Sequence, residues 1–162
     1  MEEMTNMSER LTPEILEKFQ EVRIDPVKTK IRNKRLVKYA KAIGTTQEKY
    51  LDKEDPVEHP SYVGTIVVKA LLGLADVAIE GPDGEEIKLI LNPLFVVHAG
   101  QDYEFTDVHL KDGEKLLTNG KLDEVFIKDG MLFLVANCET TNENDEIVLK
   151  TRITAICRQG GF

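Results

Sequence analysis

YVGTIVVKALLGLADVAI, residues 62–79, is the stretch that decides the fold. Val63, Ile66, Val67, Val68, Ala70, Leu71, Leu72, Leu74, Ala75 and Val77 place apolar side chains on nearly every side of a helix. A surface helix keeps one polar face, whereas a helix apolar all round is wrapped by protein. Lys69 and Asp76 interrupt the run and are expected to reach out at an end or edge. With those two charges the stretch is shorter than a comfortable bilayer span, so no membrane insertion is expected. Gly81-Pro82-Asp83-Gly84 then turns the chain.

Downstream the pattern is that of strands. Residues 87–91, 94–98 and 102–106 read as short strands. Residues 115–127, 131–140 and 146–157 read as long ones, joined by turns at Lys128-Asp129-Gly130 and Asn142-Glu143-Asn144-Asp145. Upstream, Thr12 and Pro13 start a helix ending near Glu21 that buries Ile15, Leu16 and Phe19. Residues 22–31 alternate, with Val27, Thr29 and Ile31 on one face. Asn33 is expected to cap a helix over about residues 34–43, with Leu36, Val37, Ala40 and Ile43 on its apolar face and Gly44 ending it. Residues 1–10 show no periodicity and are expected to be a disordered terminus, leaving 11–162 as one domain.

Composition narrows the function classes. The chain has 162 residues, 41% hydrophobic and 31% charged, as in ordinary globular domains. Lys and Arg number 21 against 29 Asp and Glu, a net charge of −8, and aromatics are only 6% with no Trp. Nucleic-acid binding needs cationic surface and often stacking rings, so no nucleic-acid partner is expected. Cys138 and Cys157 lack metal or redox spacing and read as buried free thiols. Three separated histidines offer no metal set. The N-terminus carries no signal-peptide pattern, and a cytoplasmic location is expected.

An antiparallel sheet must bury one face, and residues 62–79 are the helix apolar enough to cover it. The expected class is therefore α+β: a hotdog fold, with a curved antiparallel sheet wrapped around a long central helix. Sheet edges invite pairing, so a dimer is expected.

Four segments add a family resemblance. YAKAIGTTQEKY (residues 39–50) resembles the helix-to-loop segment of MaoC-like dehydratases, above all the N-terminal, FAS1-like dehydratase hotdog half of two-domain members. Pro60-Ser61-Tyr62 is similar to their Pro-Thr-Phe step, HAGQDYEF (98–105) to their His-Gly-x-Gln-x-Phe-x-Tyr strand, and LKDGE (110–114) to their Leu-x-x-Gly-Asp turn. The resemblance implies an acyl-CoA or acyl-carrier thioester as ligand, no further cofactor, and (R)-specific hydration of 2-enoyl thioesters or its reverse. In active members an Asp and a His five residues apart activate water. The matching positions here are Thr45 and Tyr50, with Gln47 in place of Asn. Neither Thr nor Tyr is a useful base near neutral pH. The resemblance thus implies a subunit lacking the dyad, paired with a catalytic hotdog subunit.

Each candidate residue carries a second reading. Tyr50 either lines the thioester pocket or packs its ring on the preceding helix. His59 contacts substrate or is a loop histidine beside Pro60. Ser61, Tyr62 and Gly64 offer backbone N–H groups to a thioester oxygen, or serve capping and entry geometry alone. His98 and Gln101 are polar candidates that either face opposite sides of a strand or straddle a turn at Gly100, with His98 expected to be buried and hydrogen-bonded. His98 or His109 with Asp102 or Asp107 is a further conceivable dyad. Two other functions remain open. One is an active homodimeric hydratase or an acyl-CoA thioesterase with unconventional residues, for which Asp76 is the only acid well inside the helix. The other is a non-enzymatic assembly module.

Overall fold

The computed structural model describes residues 10–162; of the expected disordered terminus, residues 1–9 lie outside that range. Arg10 lies within it and is held in place, its guanidinium donating to the Lys88 carbonyl at 2.6 Å. Helix α1, Pro13–Lys18, starts as the sequence requires, with the Thr12 side chain accepting from the Ile15 N–H. It ends short of Glu21, which itself adopts a left-handed conformation (φ 66°) that redirects the chain into β1, Arg23–Lys30. Leu16 and Phe19 are buried, while Ile15 only packs against the core from its edge.

Helix α2, Asn33–Ala42, begins one residue earlier than expected, and Asn33 is not its cap. Arg32 holds the cap position without a side-chain bond, and Asp112 supplies the acceptor instead, taking the Asn33 N–H at 2.8 Å. A cap borrowed from a residue 79 positions away leaves no local signature. Leu36, Val37 and Ala40 are buried, but Ile43 is exposed beside the left-handed Gly44 (φ 74°). A short helix, α3 (Glu48–Leu51), follows.

The central segment is shorter and more one-sided than its composition suggests. It opens as a 3₁₀ turn (Pro60–Val63), becomes helix α4 (Gly64–Gly73), and tightens into a second 3₁₀ turn (Leu74–Asp76). Ile79, expected inside the helix, lies in β2 (Ala78–Glu80), which forms a two-stranded ribbon with β3 (Glu86–Lys88). Tyr62, Val63, Ile66, Val67, Ala70, Leu74 and Val77 are buried. Val68 and Leu72, 40% and 68% exposed, face outward, so a single chain covers one stripe of the helix and not its full circumference. Lys69 and Asp76 are exposed as expected.

Five antiparallel strands complete the fold in the order β1-β5-β6-β7-β4, with β4 Val96–Phe105, β5 Lys115–Lys128, β6 Met131–Thr141 and β7 Ile147–Cys157. Asp129 and Gly130 both take positive φ, as a two-residue hairpin needs for its twist to match the strands. The strands expected at 94–98 and 102–106 are one strand, β4, whose register shifts between His98 and Gly100. A bulge there absorbs one residue, so Gly100 kinks the strand without ending it. The strand expected over 87–91 stops at Lys88; Leu89 and Ile90 are buried off the ladder, under Gly161 and Phe162, and Gly161 O accepts from Leu91 and Asn92. The result is a curved antiparallel sheet around a central helix, the hotdog fold. Among the described residues no helix is long and apolar enough to cross a membrane.

The packing yields two expectations. Leu134 is fully buried, so Leu134→Ala should lower the unfolding free energy by about 2–5 kcal/mol in urea titrations, whereas Leu72→Ala on the open helix face should change it by about 0.5 kcal/mol or less. The reverse order would mean that the helix is rotated. Burial pushes the Cys138 thiol up to about 11 and raises that of Cys157. Neither should be alkylated in native protein at pH 8, and both should react in denaturant.

Candidate functional site

The start of the central helix gathers the sequence-selected residues into one aromatic cluster. His59 stands at the cap position of the 3₁₀ turn, its Nδ1 accepting the Ser61 N–H at 3.3 Å and lying 2.8 Å from Ser61 Oγ. An acceptor Nδ1 fixes the neutral ring's proton on Nε2, so Ser61 Oγ–H donates to the imidazole. Tyr39 Oη in turn donates toward Ser61 Oγ and the Ser61 carbonyl, both at 3.0 Å. The hydroxyl chain therefore runs from Tyr39 through Ser61 to His59. Tyr50 is buried, with its ring edge-on to His59 at 4.8 Å and Lys49 Nζ 4.7 Å from its centroid. Tyr39 meets Tyr62 edge-on at 5.4 Å. Tyr50 thus packs against His59.

The backbone donors expected at this helix start are already in use. Tyr62 N–H donates to the His59 carbonyl at 2.7 Å, Ser61 N–H to His59 Nδ1, and Gly64 N–H back into the 3₁₀ turn. The tight turn consumes the groups that an α-helical start would have left free. Gly64 has a different role. A Cβ there would lie 3.0 Å from Tyr103 Oη, so its missing side chain makes room for a phenol from β4. Burial first, and then the neighbouring Tyr39, push the Tyr103 phenol above its ordinary value, which keeps it protonated at neutral pH.

Other candidates fall outside this cluster. Thr45 is half-buried and accepts the Gln47 N–H at 3.4 Å, a local turn bond, and Gln47 is exposed at the start of α3. His98, expected to be buried and hydrogen-bonded, is exposed, because the β4 bulge puts it on the outer part of an edge strand. Gln101 is half-buried and shares the helix-facing side of β4 with Tyr103; no turn separates it from His98. His109 pairs with neither Asp102 nor Asp107. Its Nδ1 lies 3.2 Å from Glu58 Oε1, the carboxylate largely sheltered (16% exposed) and the imidazole open. Asp76, the acid considered for thioester hydrolysis, is exposed beyond the end of α4. Among the described residues no cluster of His, Cys, Asp and Glu is placed to hold a metal. A groove of about 860 Å³ crosses the sheet along Tyr103 and Thr151, rimmed by the exposed Arg23, Lys121, Glu139, Lys150 and Glu104.

Tyr39 and Tyr103 were missed in the sequence. Tyr39 carried a signal, standing one turn before Ile43 on a helix whose next segment held the candidate positions. Tyr103 carried one only in the resemblance, as a Tyr where the related strand has Phe.

Fold and site together define a hotdog protein whose polar groups collect at the leading end of the central helix. Residues 19–151 match the family model of the FAS1-like dehydratase domain region, and the chain belongs to that family. No curated protein sequence matches it significantly. Among solved structures it is similar to the HadBC (3R-hydroxyacyl-ACP dehydratase) complex from Mycobacterium tuberculosis, at 14% identity and TM-score 0.66, over 85% of this chain and 96% of that one. It is also similar to the R-hydratase PhaJ1 from Pseudomonas aeruginosa (15% identity, TM-score 0.59, 88% and 84% covered). A third similar structure is the full-length peroxisomal multifunctional enzyme type 2 from Drosophila melanogaster, at 24% identity and TM-score 0.62, over 92% of this chain but 26% of that one. At these identities the structures establish the shared hotdog fold.

Tyr39→Phe deletes the head of the hydroxyl chain while keeping the ring against Tyr62. It should lower stability by about 1 kcal/mol in urea titrations. An unchanged midpoint would show that the Tyr39–Ser61 bonds contribute nothing to holding the helix start.

Proposed function

We propose that residues 11–162 form a single acyl-thioester-binding hotdog domain of the (R)-specific enoyl-CoA hydratase and 3-hydroxyacyl dehydratase class, acting as the non-catalytic partner of a hotdog subunit that carries the Asp/His dyad. The observation that supports this reading is a dehydratase-region match over residues 19–151, joined to the resemblance that sets Thr45 and Tyr50 against the dyad. Thr45 is engaged in a local turn, and the Tyr50 ring is buried against His59, so neither presents a base to a water. The reaction needs one group to take a proton from water and one to deliver a proton to the α-carbon. A partner subunit would supply both.

Two surfaces support pairing. β4 is a ten-residue edge strand with Val97 and Phe105 exposed, and α4 leaves Val68 and Leu72 uncovered. Long apolar edges of this kind are stable when a second chain covers them, whether another copy or a related subunit. The HadBC structure is itself a complex.

A second reading rests on the Glu58–His109 pair, a sheltered carboxylate holding an open imidazole, the arrangement a self-sufficient hydratase would need. Following enoyl absorbance of crotonyl-CoA separates the two. The purified chain should bind the thioester without hydrating it. Rapid hydration lost in both Glu58→Gln and His109→Asn would instead establish the second reading, and binding of no acyl-CoA would leave an assembly module.

A further inference from the structure

Two buried polar groups on the helix-facing side of β4 and β7 have no partner among the described residues, and a tyrosine hydroxyl lies beside them. Gln101 pairs in register with Ile153 and Tyr103 with Thr151, so these side chains share the face that looks toward the central helix. Gln101 Nε2 and Thr151 Oγ1 are inaccessible to solvent and unbonded, and Thr151 is only 5% exposed. The Tyr103 hydroxyl, on a half-buried side chain, lies beside them over Gly64. Around them the surroundings are apolar: Val63, Val67, Ile153 and Leu149 form the cluster against which Tyr103 packs. An unpaired buried polar group destabilises a fold, and two within one strand pair leave an unmet demand for a hydrogen-bond partner.

We infer that Gln101 and Tyr103, with Thr151 behind them, donate to the carbonyl oxygen of the acyl thioester, in place of the backbone N–H groups at the start of the central helix. This rests on the acyl-thioester reading above. The chemistry fits on both sides. The amide and the phenol are donors, a carbonyl oxygen has two lone pairs to receive them, and the alkyl chain beyond it would lie against Val63, Val67 and Ile153. The backbone donors are committed within the 3₁₀ turn and to His59, so recognition of the carbonyl falls to side chains. Position on the edge strand places the contact beside the surface where a second subunit would join.

The test compares butyryl-CoA with free CoA by calorimetry on the intact chain, for wild type, Tyr103→Phe and Gln101→Met. Each variant should bind butyryl-CoA about 5–10-fold more weakly and free CoA equally well, because only the acyl ligand has the carbonyl. Thermal stability without ligand should hold or rise in Gln101→Met, since a buried unpaired group is removed; a merely structural role would lower it. Wild type binding neither ligand would overturn the acyl-thioester reading and this inference with it. Wild type binding butyryl-CoA with both variants unchanged would overturn the inference alone.

Discussion

One stripe of the central helix pressed into a curved sheet is the interaction on which the rest of the structure depends. Val63, Val67 and Ala70 meet Cys138, Leu149 and Ile153, while Tyr62 and Ile66 join Ile31, Leu36, Leu110 and Leu116. Full burial of a side chain of this size contributes about 1.5–3 kcal/mol, so a handful of such contacts exceeds any single polar interaction in the molecule. The helix is short, and its packing, more than its intrinsic propensity, keeps it helical. Everything at its leading end inherits its position from that contact.

The leading end is organised by a local economy of hydrogen bonds. Pro60 has no N–H to satisfy, and the 3₁₀ turn with the His59 cap uses the next donors. Tyr39, arriving from α2, fixes Ser61 through its hydroxyl, and Tyr50 packs edge-on against His59. The backbone donors of the turn are thus engaged within the cluster. Unmet hydrogen-bonding capacity appears a few residues away, on the side of β4 and β7 that faces the helix. This contrast separates a scaffold that closes on itself from a surface still lacking an acceptor.

Much of the fold was legible because the signals were local. Thr12 and Pro13 start α1, the left-handed Gly44 follows α2, and Asp129-Gly130 turns the long hairpin, each through the backbone conformation of one or two residues. The misreadings had non-local causes. Asp112 caps α2 from a loop 79 residues on, so Asn33 looked like the cap. The β4 bulge keeps pairing with β7 through Gly100, so a break in alternation looked like a turn, and His98 was expected inside when it lies outside. Of the candidate site, His59, Ser61, Tyr62 and Gly64 were found because they are contiguous. Tyr39 and Tyr103 were not, because they reach the helix start from α2 and from β4.

The sequence by itself determined the hotdog class, the order of its long strands and the helix that the sheet must cover, because periodicity and turn chemistry act between near neighbours. Only the tertiary structure decided that the helix keeps an open apolar face, that its backbone donors are spent, and that Gln101, Tyr103 and Thr151 share one side of the sheet. Those outcomes depend on which side chains distant segments bring into the same few ångströms, and residue spacing along the chain does not encode that distance.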